Sequence, residues 1–212
     1  TMEGNKIAPT SSDVLAYLYS DTCFVLPTFG IEDNRLSCTG YAVMQDGKYL
    51  DFIPAEESRG LLWLLGENPQ WNYVVPMDGN EVTLEVSLKK RKVKPVYRDG
   101  HLTLHIDLYL QSIVKYLSKN EPLEKGDESQ VRERLQRMVC RDVSDMMSRS
   151  KSIKCDFLGC KDHFRIHYPN EIKTIDWEQT YTDSDVYVGV ETSLDAKALM
   201  LDFESMGQKT GQ

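Results

Sequence analysis

The 212-residue chain has no run near the roughly 18 apolar residues that a membrane-spanning helix needs; its longest comparable block is Gly60 to Gly66. A bilayer-crossing helix is therefore not expected. The opening Thr1-Met2-Glu3-Gly4 has neither a basic n-region nor an apolar h-region, and no lipobox-like cysteine stands near it. The sequence accordingly reads as a piece of a longer precursor. Basic charge is scarce, with 25 Lys and Arg against 33 Asp and Glu for a formal net charge of −8. Phosphate neutralisation needs a concentrated basic face, so no nucleic-acid partner is expected and the excess acid serves solubility. Also missing are a Gly-x-Ser-x-Gly elbow, a Gly-x-x-x-x-Gly-Lys-Ser/Thr loop, a Gly-x-Gly-x-x-Gly turn and a His-Glu-x-x-His pair. No catalytic residue, cofactor or metal ligand is predicted. The five cysteines (Cys23, Cys38, Cys140, Cys155, Cys160) are an odd number without the dense spacing of a small disulfide scaffold. At least one is free or paired between chains, and a Cys155–Cys160 bridge competes with the plainer reading of both as small buried apolar residues.

What is present belongs to a folded domain: 41 % apolar and 27 % charged residues sit near the globular average. Ser11-Ser12-Asp13 followed by Val14, Leu15, Leu18 and Tyr19 predicts a short helix over 12–20. Cys23 to Leu26 reads as a strand stopped by Pro27. Leu36 to Met44 and Tyr49 to Ile53, joined by Gln45-Asp46-Gly47-Lys48, predict a hairpin, because Asp-Gly takes the positive φ angles of a primed turn. Pro54, Glu56 and Glu57 open a predicted helix that runs to about Gly66.

Beyond Pro69 the period changes to two. Val82, Leu84, Val86 and Leu88 alternate with polar residues, and so do Leu102, Leu104, Ile106, Leu108 and Leu110. Asp99-Gly100 and Asp78-Gly79 make the runs around them antiparallel neighbours. Glu121 to Ser129 is a polar connector. Val131, Leu135, Met138, Val139, Val143, Met146 and Met147 then form one apolar stripe on a helix of about 129–151, which needs a sheet face to cover. A last strand falls near Val186 to Val190, and Gly207 to Gln212 reads as a frayed tail. The expected class is α+β, antiparallel sheets packed against helices, with 1–68 and 69–206 as separate domain portions.

Few residues carry candidate chemistry. Cys155, Cys160, His163 and His167 have metal-binding composition, but only Lys161 and Asp162 separate the two pairs, too little for a hairpin to fold back. His101 and His105 share a polar strand face with Asp107 and could meet a carboxylate across the sheet. The single basic run, Lys89, Lys90, Arg91, Lys92, Val93 and Lys94, is either a solvated strand end guarding an edge or a contact for anionic headgroups or an acidic partner.

Separated blocks give a further lead: Pro9-Thr10, Val25-Leu26-Pro27, Gly40-Tyr41-Ala42-Val43, Arg59-Gly60-Leu61-Leu62-Trp63, Asp156-Phe157-Leu158-Gly159, Tyr168-Pro169 and Trp177. In this order they resemble the middle and C-terminal parts of the Ger(x)C lipoproteins, the C subunits of spore nutrient-germinant receptors. Cys155 and Cys160 depart from that pattern. The resemblance implies a non-enzymatic subunit, held by an N-terminal lipid at the outer face of the spore inner membrane. Its partners there would be the A and B membrane subunits. An alternative is an extracytoplasmic nutrient-binding domain with Tyr41, Trp63, Trp71 and Tyr73 lining a pocket. A metalloenzyme would rest on the Cys/His cluster alone.

Overall fold

The computed structural model describes residues 7, 10, 14–15, 23–32, 34–118, 123 and 125–195. Of the predicted helix over 12–20 only Val14 and Leu15 are described, both helical, and the predicted tail lies outside the described residues.

The first sheet is antiparallel with order β1-β2-β3, built from β1 (Phe24–Glu32), β2 (Arg35–Gln45) and β3 (Lys48–Pro54). Asp46 and Gly47 take φ of 52° and 71°, the primed turn expected of Asp-Gly. Pro27 does not stop β1, which continues to Glu32. As the outer strand of its sheet, β1 has one side without ladder bonds, where a residue lacking an N–H is tolerated. Beyond Gly40, β3 offers no further partner, so β1 and β2 continue alone as a two-stranded ribbon to Glu32 and Arg35.

The helix expected from Pro54 is split. Pro54 is the last residue of β3, Ala55–Glu57 make a 3-10 turn, and α1 is Arg59–Leu65. Ser58 Oγ donates to Ala55 O at 2.7 Å, closing the turn before α1 begins.

The second sheet has order β4-β5-β6-β7, from β4 (Gln70–Met77), β5 (Asn80–Arg98), β6 (His101–Leu117) and β7 (Asp185–Asp195). The predicted alternation holds: Val82, Leu84, Val86, Leu102, Leu104, Ile106, Leu108 and Leu110 are all buried on one face. β5 and β6 pair from Val82 and Leu117 to Arg98 and His101, which makes them longer than either apolar run alone indicates. β7 lies parallel to β6, against the antiparallel expectation. The chain reaches β7 only after crossing the sheet through helices, and such a crossover permits a parallel return that a tight turn does not.

Those helices are α2 (Lys125–Ser152), α3 (Cys160–His167) and α4 (Trp177–Thr182). α2 starts four residues earlier than the predicted start near 129, because Asp127 and Glu128, read in sequence as connector, occupy its first turn and favour the positive helix end. Val131, Leu135, Val139, Val143, Met146 and Met147 are buried against the sheet, so the methionines fill core. Val25, Tyr41, Val43 and Ile53 of the first sheet belong to the same buried cluster as the second. The α+β class is as expected.

Candidate functional site

β5 outlasts β4. Gln70 is the last β4 residue paired to it, at Ser87, and from Lys89 onward β6 is the one strand that β5 pairs with. Strand alternation then divides the basic run. Lys90, Lys92 and Lys94 pair with Tyr109, Asp107 and His105 on the open face of the sheet, while Arg91 pairs with Leu108 on the helix side. Arg91 Nη1 donates to the carbonyls of Trp63 and Gly66 at 2.9 and 3.3 Å, completing the C-terminal end of α1, where a cation is favoured. Burial pushes its pKa down from the usual guanidinium value. Lys89 lies at the register shift and is exposed, as are Lys90, Lys92 and Lys94. The Lys92 ammonium stands 5.4 Å from the Tyr109 ring centroid, a cation–π contact that holds the middle of the stripe.

The free edge here is closed to strand addition. Pro95 has no N–H, and the Tyr97 N–H donates to Tyr168 Oη at 3.0 Å. The lysine stripe is thus a side-chain surface, and its edge is guarded in the way lysine and proline guard other edge strands. Across the same face, His101 Nε2 meets Asp185 Oδ2 at 2.9 Å and His105 stacks on Tyr187 at 5.4 Å. Asp107 needs Gly189 opposite it, since a Cβ there would lie 2.8 Å from Asp107 Oδ1. The face therefore grades from lysines on β5 to acids, Asp185 and Glu191, on β7.

Tyr41, Trp63 and Tyr73 do not line an open pocket: they are 5 %, 1 % and 1 % exposed and belong to the core. Trp63 Nε1 donates to Tyr73 Oη at 2.9 Å, and Tyr73 Oη donates to Asp142 Oδ2 at 2.7 Å. Arg59 closes the chain with its Nε 3.5 Å from the same carboxylate. Burial raises both the Tyr73 and Asp142 pKa values. Nearby, Arg149 on α2 donates to Asp51 Oδ2, Glu57 Oε2 and Phe52 O, each at 2.7 Å. Its hydrogen bond and charge hold the Asp51 carboxyl below the usual carboxylate range. Sequence pattern alone did not single out Arg149, because it reads there as one more polar residue near the end of an amphipathic helix.

Cys155 is not bridged to Cys160. It forms a disulfide with Cys23, 132 residues away, with Cα atoms 5.6 Å apart. That bond takes Cys155 out of any metal set. Cys160 is a buried free thiol whose pKa burial raises, and His163 and His167 lie on α3, with His163 O 2.9 Å from His167 Nδ1. Between the disulfide and α4 lies a cavity of about 350 Å³ bordered by Asp156, Trp177 and Tyr181. Asp156 Oδ1 and Oδ2 accept the backbone N–H groups of Cys160 and Lys161 at 3.0 and 2.7 Å, capping α3.

Residues 39–196 match the family described as "Spore germination B3/ GerAC like, C-terminal". The chain belongs to the Ger(x)C family of spore germination proteins, the C subunits of germinant receptors. Among curated relatives it is similar to spore germination protein B3 of Bacillus subtilis (strain 168), 25 % identical over 73 % of this chain and 43 % of that protein. Spore germination protein A3 of the same organism is 23 % identical over 97 % of this chain and 57 % of its own length. The chain thus spans about half the length of the curated relatives it matches. The crystal structure of the GerBC protein shares the fold, with a TM-score of 0.77 at 19 % identity, covering 92 % of this chain and 64 % of that one.

Proposed function

We propose that this chain is the middle and C-terminal portion of a non-enzymatic germinant-receptor subunit that works by protein–protein contact at the outer face of the spore inner membrane. Family membership over residues 39–196 carries the reading. The remainder of such a protein would supply a lipid-modified N-terminus, and the A and B membrane subunits would be the partners. Residues 1–68 are assigned to the middle domain and 69–206 to the C-terminal one. The Cys23–Cys155 disulfide suits this location, since disulfides persist in oxidising compartments outside the cytosol.

The contact surface proposed is the stripe Lys90, Lys92 and Lys94 with Lys89 beside it, facing an acidic surface of a partner. Arg91, committed to the end of α1, acts by holding the stripe's strand in place. The experiment is capture of membrane proteins from a spore-former on the purified chain, compared with the Lys90→Glu/Lys92→Glu/Lys94→Glu variant. Recovery of a multi-pass receptor subunit by the unmodified chain, and its loss in the variant, is expected. Equal recovery by both would move the contact off this face, and recovery of no multi-pass subunit would overturn the interaction reading.

A further inference from the structure

Outer strands expose unpaired N–H and C=O groups, and the molecule treats its own unequally. Past the end of β4, the edge of β5 is closed by Pro95 and by the Tyr97 N–H bond to Tyr168. On β3 the Phe52 carbonyl accepts from Arg149 of α2 at 2.7 Å. On β1, Pro27 takes an N–H away from the first half of the edge, but Thr28 to Glu32 holds no proline, lysine or arginine. Among the described residues, no backbone hydrogen bond beyond the β2 ladder reaches that half.

The register fixes which groups face out. Glu32 pairs with Arg35 and Asn34 takes φ of 57°, so the ribbon ends in a tight hairpin whose last pair exchanges both backbone bonds. Alternation from that pair makes Gly30–Ser37 bonded as well. It leaves Phe29–Cys38 and Ile31–Leu36 as the pairs whose N–H and C=O groups turn away from the ladder. Pro27, two residues before Phe29, falls on the same outward side, where the ladder loses nothing by it. The side chains of Phe29 and Ile31 share one exposed face of the ribbon with Leu36 across the strand. Backbone and side chains of the same two residues are therefore open together.

We propose that β1 pairs with β1 of a second copy of this chain, antiparallel and two-fold about Gly30. In that register Phe29 of each copy lies opposite Ile31 of the other, and each such pair exchanges both of its N–H···O bonds. Pro27 selects the register: centring on Phe29 would set Ile31 against an imide nitrogen, and centring on Ile31 would set Phe29 against the turn. Leu36, Ile31 and then Phe29 and Cys38 of the second copy stand in one row, with the reverse row beside it, so the apolar face continues across the joint. Glu32 is the one charged residue of the paired segment and lies opposite Thr28, so no like charges meet. Phe29-Gly30-Ile31 is thus its own complement, which a two-fold interface requires and a foreign strand would have to match. The contact is small, so the dimer is weak and mass action populates it at high concentration. The inference stands on the ribbon alone and is independent of the receptor reading.

The test is sedimentation velocity of the chain from micromolar to millimolar concentration, where monomer is expected to pass into dimer. Ile31→Lys places a cation on the shared edge, and Ile31→Pro removes an outward N–H that the β2 ladder does not use. Each should weaken association roughly tenfold or more with circular dichroism unchanged. By hydrogen exchange, the Phe29 and Ile31 amides should slow as concentration rises, while Gly30, bonded to Ser37 in monomer and dimer alike, should not change. A chain that stays monomeric at millimolar concentration overturns the proposal and leaves a foreign strand as the occupant. A dimer that survives the substitutions, or whose Phe29 and Ile31 amides exchange independently of concentration, overturns it too. Should Ile31→Pro not fold, Ile31→Lys at this exposed position decides.

Discussion

The two sheets meet the same problem with unequal means. The four-stranded sheet lays one largely apolar face under α2, where Val82, Leu84, Leu104, Leu135, Val139 and Val143 are all fully buried. Among the described residues, the three-stranded sheet has no long helix of its own lying across it. Its ribbon end carries Phe29, Ile31 and Leu36 at 59 %, 78 % and 73 % exposure, and among its described residues Val25, Tyr41, Val43 and Ile53 belong to the shared core, with Cys38 packed against it. What binds it to its neighbour is specific: the Arg149 clamp, the Cys23–Cys155 bond, and the contact of α1 with α2 at Gly60. One region is stabilised by area, the other by attachments, and they should fail differently when mutated.

The sharpest contrast comes from two leucines. Leu135→Ala opens a cavity under the second sheet and should cost about 2–5 kcal/mol in urea unfolding, whereas Leu36→Ala on the ribbon should stay within about 0.5 kcal/mol. An equal loss at Leu36 would mean that the ribbon is covered in solution. Next in size, replacing Cys23 and Cys155 by serine releases a closure of 132 residues and should cost roughly 2–4 kcal/mol. Hydrogen exchange should then rise first in β1–β3, not in β5–β6. Gly60→Ala places a Cβ 2.0 Å from the Asp142 carbonyl, so α1 must shift against α2, at about 1–3 kcal/mol.

Smallest is the clamp. Arg149→Met should cost about 1 kcal/mol at neutral pH, since the ion pairs are partly solvated. Asp51 has its folded pKa lowered, so its contribution is present above the unfolded carboxylate pKa and is lost as pH falls through the lower folded value. The difference between wild type and Arg149→Met should therefore hold steady from pH 7 to about 4 and shrink below that. A difference that persists in acid would assign Arg149 to packing and not to charge.

Legibility in sequence followed the same division. β5, β6 and α2 were readable because burial on one face writes itself as a period of two or of 3.6, and Val82 to Leu110 and Val131 to Met147 carry those periods over many residues. Pro27 misled because a strand's position in its sheet, edge or centre, is not local information. The parallel placement of β7 was hidden for a similar reason, as direction depends on the route of the crossover. The basic run was visible as charge, but reading it as one surface missed that strand alternation sends Arg91 to the opposite face from Lys90 and Lys92. Its carbonyl partners at Trp63 and Gly66 were not foreseeable. Least readable were Asp156, Trp177 and the Cys23–Cys155 pair, which depend on residues far apart in the chain meeting at the end of α2.

The disulfide also determines how the domain would carry load. Cys23 immediately precedes β1, and Cys155 lies just past the end of α2. A pull applied to the backbone upstream of Cys23 passes through the sulfur bridge to the foot of the long helix. β1 is shielded from that force and need not peel from β2, as an outer strand otherwise would. Every element from β1 through α2 lies inside the loop that the bond closes, so tension between the two ends of the chain passes to the segment after Cys155 without straightening any of them.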